Sequence, residues 1–285
     1  MDVVRLRRRL ATTRLAYLVT LVPRVLFVGR HVARTLRFAG TWLVHSHEHT
    51  NLTYDLTERN VDQLAWFISE VADTPVQQIR AYLSEIQGDQ ELRDHVRTTT
   101  QSSSRRGLAD LDARFGRRMG WYALVRALQP ELVVETGTDK GLGSCVIAAA
   151  LLRNGKGRLL TLDVNPESGF LIAGKYAAVV DHRIDDSIAQ LVDLQSPVDV
   201  FLHDSDHSAA HESKEFDAVA PHLTPASVAL SDNSHVTAVL SDWAQERGWQ
   251  FSFFAEEPAD HWYTGDGIGA ARATSRSAQP ALRTG

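Results

Sequence analysis

The feature that most constrains the fold is a change of pattern near residue 108, where short apolar runs begin to alternate with helical periodicity. Helical patterns lie between most of these runs, at Leu142–Arg153, Ser187–Leu194, Ala209–Ala220 and Ser234–Glu246. The runs themselves predict strands at Leu132–Glu135, Arg158–Asp163, Val179–Ile184, Val198–His203, Ser227–Ser231 and Gln250–Ala255. This alternation predicts an α/β fold with a doubly wound, mostly parallel sheet. Ligands bind such sheets beyond the carboxyl ends of the strands, so the polar residues there are the functional candidates.

A glycine-rich loop, ETGTDKGLGS, follows the first predicted strand and contains Gly137, Gly141 and Gly143. Gly137 allows the chain to turn sharply as the strand ends. Gly141 and Gly143 allow the backbone to approach a ligand at a helix start, where unpaired amides favour an anionic group. The spacing is not the G-x-G-x-x-G of dinucleotide-binding proteins, which argues against a nicotinamide-dependent oxidoreductase. Taken alone, the loop is equally compatible with an ordinary strand-to-helix turn.

Acidic residues close the second and third predicted strands. Asp163 can accept hydrogen bonds from both ribose hydroxyls of a nucleotide-type cofactor, or it can cap a helix. Asp185, Asp186 and Ser187 can hydrogen-bond an adenine edge, or they can cap the helix that follows. Together with the glycine loop, these residues favour a cofactor pocket spread over three strand ends.

Oxygen-bearing side chains close the fourth and fifth predicted strands, with Asp204 on one and Asp232 and Asn233 on the other. The carboxyl ends of parallel strands lie at one edge of the sheet, so these three side chains can converge. Two carboxylates, an amide oxygen and waters suit a hard octahedral cation such as Mg²⁺ or Mn²⁺. Helix capping also explains Asp232, and the neighbouring histidines leave a zinc site open as an alternative.

The segments ELVVETGTDKGLGS, TLDVNPE, DDS and FLHDSDHS, in that order, resemble class I S-adenosylmethionine-dependent methyltransferases over residues 110–270. The resemblance implies a seven-stranded, Rossmann-like sheet that binds S-adenosylmethionine. It places Glu135, Gly137 and Thr138 near the methionine part of the cofactor, Asp163 on the ribose, and Asp186 and Ser187 near the adenine. The full set of expected cofactor contacts is Glu135, Gly137, Thr138, Gly141, Gly143, Ser144, Asp163, Asp186, Ser187 and Asp204.

The acidic strand ends are similar to those of metal-dependent O-methyltransferases, both the catechol type and the type that modifies macrolide sugars or mycobacterial polysaccharides. Three positions after its first metal aspartate, the catechol type usually carries lysine, whereas this chain has His207. Aspartate-x-x-histidine resembles the sugar O-methyltransferases instead. The resemblance implies that the cation stabilises the forming alkoxide of a sugar hydroxyl, while His207 takes its proton near neutral pH. Asp206 and His207 can instead cap the helix that begins at Ser208.

The function expected from these residues is S-adenosylmethionine- and Mg²⁺-dependent O-methylation of a sugar hydroxyl, on a saccharide or a glycosylated natural product. Asp206, His235, Trp262 and Tyr263 are candidates for contacts to the acceptor, although core packing explains the two aromatic residues equally well. Two alternatives stay open. One is O-methylation of a phenolic small molecule, and the other is a non-catalytic, cofactor-binding assembly protein.

The first 105 residues lie outside the resemblance and are predicted to form a basic, helical extension before a catalytic domain at 106–270. Residues 1–40 contain nine arginines and one acid, a net charge of +8 against −5 for the whole chain. The apolar run Leu15–Val28 is too short to span a bilayer, and Pro23 is expected to break the helix there. The arm lacks the interleaved aromatic residues that bind nucleic acid. It favours an oligomer contact, a substrate lid or a membrane-surface contact.

Two further segments are expected to be irregular. The hydroxyl-rich stretch at 98–106 predicts a loop that joins the extension to the catalytic domain, and residues 271–285 predict a mobile tail. The single cysteine, Cys145, excludes an intramolecular disulfide and fits a reducing compartment. We therefore expect a cytoplasmic homo-oligomer, at the inner face of the membrane if the basic arm contacts lipid.

Overall fold

The computed structural model describes residue 13 and residues 16–49 and 52–273 of the chain. Its strands are β1 (Leu132–Thr136), β2 (Arg158–Asp163), β3 (Val180–Ile184), β4 (Val198–His203), β5 (Leu223–Ser231), β6 (Trp249–Ala255) and β7 (Gly267–Ala273). Its helices are α1 (Ala16–His45), α2 (Glu58–Ala72), α3 (Val76–Gln87), α4 (Gln90–Ser102), α5 (Arg118–Leu128), α6 (Leu142–Asn154), α7 (Gly174–Ala177), α8 (Ser187–Val192), α9 (Ala209–Val219) and α10 (Val239–Glu246).

The seven strands form one sheet in the order β3-β2-β1-β4-β5-β7-β6. Strands β1 to β5 are parallel, whereas β7 runs antiparallel to both β5 and β6. The predicted doubly wound, mostly parallel sheet is therefore confirmed. The order reverses between β1 and β4, and this switch point is where ligands bind in open α/β sheets.

Six of the strands were predictable from apolar runs, but β7 was not. Its sequence, GIGAARA, is rich in glycine and alanine, which have low strand propensity. It is nevertheless buried between β5 and β6 for most of its length. The tail expected at 271–285 begins later than predicted. Residues 271–273 belong to β7, and the rest of that segment, 274–285, lies outside the described residues.

The described residues divide into two compact units. The first comprises α1 and the segment Asp260–Tyr263, and the second runs from His47 to Ala259 and resumes at Thr264. Helices α2, α3 and α4 therefore belong to the same unit as the sheet, although the sequence assigns them to an extension that ends at 105. The reason is that α3 packs through one apolar face. Ile79, Leu83 and Ile86 recur at helical spacing on that face, and all three are buried.

The expected loop at 98–106 is helical over its first half, because α4 continues to Ser102. The hydroxyls of Thr98 and Ser102 donate back to the carbonyls of Asp94 and Thr98, and Thr100 is buried. Such back-bonding lets hydroxyl-bearing residues remain in a helix. The irregular segment begins only after Ser102.

Helix α1 corrects a second expectation, because it passes through Pro23 without a break. A proline removes one backbone N–H donor, so one carbonyl of the preceding turn loses its helical partner while the helix continues on both sides. Among the described residues, no helix is long and apolar enough to cross a membrane.

Candidate active site

A cavity of about 490 Å³ opens at the carboxyl ends of β1 to β4. Its size is within the range of small-molecule and cofactor sites. Predicted residues among those that line it are Gly137, Asp163, Asp185, Asp186, Ser187, Asp204 and Asp206; the others are Asp139, Leu162, Val164, Asn165, Ser205 and His211. The structure thus brings together predicted residues from four separate strand ends. The remaining predicted cofactor contacts do not line the cavity and stay predictions: Glu135, Thr138, Gly141, Gly143 and Ser144.

Gly137 is required because two loops touch at its position. Its φ is +88°, and a Cβ placed there would lie 1.9 Å from the backbone oxygen of Asp204. No side chain fits in that space, and the left-handed conformation also favours glycine. The contact holds the loop after β1 against the loop after β4, which places Asp204 at the cavity.

The other two glycines of the loop serve packing within the chain. A Cβ on Gly143 would lie 2.6 Å from the Trp121 ring and 2.9 Å from Glu135 Oε1, and a Cβ on Gly141 would meet Ile172 at 2.9 Å. Close packing of α6 against its neighbours therefore explains both glycines. The sequence cannot separate this role from close approach to a ligand, because either needs a missing side chain.

Glu135 is a buried carboxyl with few donors. The hydroxyls of Ser144 and Thr161 donate to its Oε2, the second at 2.7 Å. Burial raises the pKa of Glu135 to about 7, because two neutral donors do not replace the lost hydration. Near neutral pH this carboxyl is therefore divided between its two protonation states.

Asp163 holds the glycine loop with hydrogen bonds. The backbone N–H groups of Thr138 and Asp139 donate to Asp163 Oδ2 at 3.0 and 2.9 Å, and that of Asn165 donates to Oδ1 at 2.8 Å. A carboxylate offers about four acceptor positions, so one remains for a ligand. The expected pair of hydrogen bonds to ribose is therefore reduced to one while the loop keeps this geometry.

Asp186 and Ser187 line the cavity and also act locally. Asp186 caps α8 by accepting from the backbone N–H of Ala189 at 2.8 Å, and the Ser187 hydroxyl donates to Glu215. The capping role that the sequence allows is present. It fixes both residues at the cavity wall, where an adenine contact stays a prediction.

Glu215 on α9 is the centre of a buried network that the sequence reasoning missed. Five side chains lie within hydrogen-bonding distance of its carboxylate: Thr136 (2.6 Å), His203 (2.6 Å), Ser205 (2.9 Å), His211 (2.9 Å) and Ser187. Burial alone would raise the pKa of Glu215, but His203 and the hydroxyl donors outweigh it and lower the pKa to about 2. The sequence did contain a signal for this network. Glu212 and Glu215 share one helix face with Phe216 and Val219, a spacing that predicts burial, and all four residues are buried.

His203 links this network to the fifth strand. Its Nδ1 faces the Glu215 carboxylate, which can only accept, so Nδ1 carries the proton. Its Nε2 then accepts from the Asn233 side-chain amide at 2.9 Å. Asn233 Oδ1 is buried and has no hydrogen-bond partner among the described residues.

A second buried cluster surrounds Asp232 and contains a residue outside every motif. The Arg117 guanidinium makes a two-point contact with Asp232 and a further hydrogen bond of 3.1 Å with Glu256. The Tyr54 hydroxyl donates to Glu256 at 2.7 Å. Arg117 lies just before α5, and its partners are 115 and 139 positions away in the chain. No local pattern marks such pairs, which is why the sequence did not reveal them.

Asp204 and Asp232 meet in this cluster, as the sequence predicts. Their carboxyl groups interact at close range, because β4 and β5 are neighbouring strands. Burial and the neighbouring Asp232 raise the pKa of Asp204 well above its ordinary value. Burial also acts on Asp232, but Arg117 outweighs it and lowers its pKa. Of the two carboxyls, Asp204 is therefore the one that holds a proton more readily.

The expected metal site fits these residues only in part. The chemistry of Asp204, Asp232 and Asn233 suits a hard cation, and the unpartnered Asn233 Oδ1 would suit one too. Both oxygens of Asp232, however, accept from the Arg117 guanidinium, which already supplies a positive charge there. Among the described residues, no three His, Cys, Asp or Glu side chains are arranged to hold a metal ion. A cation bound by Asp204, Asp232 and Asn233 stays a prediction.

The remaining predicted residues differ in their surroundings. His207 is exposed, Asp206 accepts from the backbone N–H of Ser208 at 2.7 Å, and His235 pairs with Asp266 at 3.0 Å. Trp262 and Tyr263 belong to the first compact unit, where the Trp262 ring packs edge-on against Trp42 with 5.3 Å between centroids. Packing thus explains Trp262, and acceptor contacts by these residues stay predictions.

Comparisons with known proteins agree with the fold. Residues 134–234 match the family described as "Methyltransferase domain". A solved structure of cofactor-bound Rv0187 from MTB is similar at 17% identity and a TM-score of 0.52, over 68% of this chain and 95% of that one. No curated protein matches the chain.

Two other solved structures have lower TM-scores. The O-methyltransferase TomG from Streptomyces achromogenes, involved in tomaymycin synthesis and bound to SAM, gives 0.48 at 17% identity, over 65% of this chain and 91% of that one. An O-methyltransferase from Bacillus cereus in complex with SAH gives 0.47 at 15% identity, over 75% and 97%. Residues 134–234, which contain the cavity residues that follow β1 to β4, therefore resemble a methyltransferase domain, and the fold of the chain is similar to that of the solved structure with a TM-score of 0.52.

Proposed function

We propose that the chain transfers a methyl group from S-adenosylmethionine to a hydroxyl oxygen of a saccharide or a glycosylated small molecule. The observation that carries this proposal is the position of Asp204. It lines the cavity and also interacts with the carboxyl of Asp232, which follows the neighbouring strand β5. The cavity therefore adjoins a polar pair that can hold an acceptor hydroxyl beside the cofactor.

The cofactor supplies a methyl group on a positively charged sulfur, and the new carbon–oxygen bond forms as the carbon–sulfur bond breaks and its electron pair returns to sulfur. The acceptor hydroxyl must lose its proton in this step, and His207 is the proposed base. It is exposed three positions after Asp204, and among the described residues it has no hydrogen-bond partner, so its ring is free to take a proton. His211 is a weaker candidate, because its Nε2 is held by Glu215 at 2.9 Å.

We further propose that Arg117 supplies the positive charge at Asp232 that the sequence assigns to Mg²⁺. The guanidinium is buried and contacts both oxygens of Asp232, a geometry that matches a carboxylate closely. In this form of the site, Asp204 keeps its proton and can donate a hydrogen bond. Magnesium dependence is the competing expectation, and a direct binding measurement separates the two.

The acceptor class can be tested with S-adenosylmethionine carrying a deuterated methyl group. The purified chain is incubated with glycosides, a glycosylated macrolide and a catechol, and products are analysed by mass spectrometry. We expect label on a sugar hydroxyl. Label on the catechol alone would contradict the sugar acceptor and favour a phenolic one. Binding of S-adenosylhomocysteine without any transfer would favour a non-catalytic protein.

The role of His207 is tested by His207→Ala. We expect at least a tenfold loss of kcat, since a positioned base contributes about 10²–10⁴-fold, with unchanged affinity for S-adenosylhomocysteine. His222→Ala is the matched control, because His222 lies outside the cavity and should leave kcat unchanged. Equal kcat in the wild type and the His207→Ala variant would remove the assigned role.

The role of Arg117 is tested with Mn²⁺, whose binding is followed by electron paramagnetic resonance. We expect the wild type to bind no Mn²⁺ at the site, to keep its activity in chelator, and to gain Mn²⁺ binding on Arg117→Met. Stoichiometric Mn²⁺ binding by the wild type, lost in Asp232→Asn, would restore the metal-dependent mechanism. Because the wild-type titration alone decides between the two, the test survives if Arg117→Met fails to fold.

A further inference from the structure

Helix α1 carries a continuous apolar stripe along one side. The stripe consists of Tyr17, Leu21, Val25, Val28, Val32, Leu36, Ala39 and Leu43, which follow one another at intervals of four, four and three residues. All of its large side chains are exposed, from 45% for Val32 to 73% for Leu43. Contiguous exposed apolar surface of this extent marks an interaction site.

The stripe is straight. Its intervals repeat every eleven residues over three turns, close to the 3.6 residues per turn of an α-helix, so it runs parallel to the helix axis. A left-handed coiled coil has a repeat of 3.5 residues per turn, so the stripe does not fit a partner helix of that kind. A straight stripe on a helix about 45 Å long instead suits a flat surface.

In the second half of α1, the side opposite the stripe is basic. Arg30, Arg34 and Arg37 recur at helical spacing there and are followed by Thr41 and His45. The helix contains no acidic residue. A helix with an apolar face and an arginine-rich polar face is the signature of a segment that lies in the plane of a membrane interface. The positive charge selects an anionic surface, although the chain as a whole carries −5.

We propose that α1 lies on an anionic lipid surface, with the stripe among the acyl chains and its arginines among the headgroups. Arginine side chains reach past their own apolar stems to such headgroups. The helix lies on the surface rather than crossing it, because it lacks the length of uninterrupted apolar sequence that a span requires. This inference is independent of the acceptor and of the metal.

The proposal is tested by co-sedimentation of the full chain with vesicles of phosphatidylcholine, with and without phosphatidylserine. We expect at least a tenfold higher bound fraction on the anionic vesicles and a decline as salt is added, because salt screens the attraction. Val28→Glu with Val32→Glu should abolish binding, since both side chains belong to the stripe. Thr20→Glu with Thr41→Glu is the matched control, because it adds the same charge on the polar side of the same helix and should lose less binding than the stripe variant.

Three outcomes would overturn the proposal. One is the absence of binding to anionic vesicles by the wild type. Another is an equal loss in the stripe variant and its control, which would reduce the effect to net charge. The last is a wild type that is a dimer by light scattering and does not bind vesicles, together with a stripe variant that is monomeric. In that case α1 would bind a second copy of the chain. Circular dichroism and S-adenosylhomocysteine affinity verify that each variant is folded.

Discussion

Two buried glutamates of the same domain sit in opposite electrostatic environments. Glu135, at the end of β1, receives hydrogen bonds from two hydroxyls, and burial raises its pKa to about 7. Glu215, on α9, is surrounded by five donors that include two histidines, and its pKa is lowered to about 2 despite burial. Both are at most 1% exposed. The comparison teaches that the number of donors, not burial itself, decides whether an interior carboxyl is ionised.

The largest expected effect comes from Glu215→Gln, which keeps the size of the side chain but removes its charge. We expect the free energy of unfolding at pH 7 to fall by about 3–5 kcal/mol, because a hydrogen bond to a charged group contributes about 1.5–3 kcal/mol and several of the five donors would lose their charged acceptor. Urea unfolding measures this. Glu212→Gln is the matched control on the same helix, because Glu212 accepts only from two hydroxyls and should cost about 1–3 kcal/mol. Equal losses would mean that the two histidines add nothing.

The second prediction concerns acid. A carboxyl whose folded pKa is depressed stabilises the protein above its unfolded pKa, near 4.5, and this contribution is lost as pH falls toward the folded value of about 2. We expect the wild type to lose about 3 kcal/mol from Glu215 over this window. Glu215→Gln should lack this component of the loss. Parallel stability curves for the two proteins between pH 5 and 2 would contradict the assignment.

Glu135 should behave with the opposite sign. Because its folded pKa is raised, ionisation is resisted in the folded state, and the protein loses stability as pH rises from about 4.5 to 7. We expect a loss of similar size, about 3 kcal/mol, that is absent in Glu135→Gln. Unfolding curves at intervals across this window test it. A wild type whose stability rises over the same range relative to the variant would show that Glu135 is ionised with ease.

The smallest effects sharpen the comparison donor by donor. Ser144→Ala removes one of two donors from Glu135, whereas Ser205→Ala removes one of five from Glu215. We expect about 1 kcal/mol for the first and less for the second, because four donors still hold Glu215. Nuclear magnetic resonance titration of each carboxyl should show the larger pKa rise at Glu135. The reverse ranking would contradict the role assigned to donor number.

The sheet could be predicted because its signal is local. Apolar runs and the helices between them placed six strands within a few residues of their observed bounds, except β5, which starts earlier, at Leu223. Strand β7 was not predicted, because glycine and alanine have low strand propensity. It is held in the sheet by its pairing with β5 and β6. The domain boundary was placed too late, since the packing of α2 to α4 against the body is set by long-range contacts.

The site was predictable to the same extent. Asp204 and Asp232 were expected to meet because both close neighbouring strands, and they do. The cluster around Asp232 could not be foreseen, because its contacts join distant parts of the chain. Arg117 contacts Asp232 and Glu256, and Tyr54 contacts Glu256, each across more than a hundred positions. Tyr54 and Arg117 are 63 positions apart. A single sequence carries no record of which distant charge will neutralise a buried one.

The contact at Gly137 has a consequence for substitution. With backbone against backbone, any side chain at position 137 would force the loops after β1 and β4 apart. Asp204 would be displaced together with the second loop, so the cavity wall and the carboxyl pair with Asp232 would be lost in a single step.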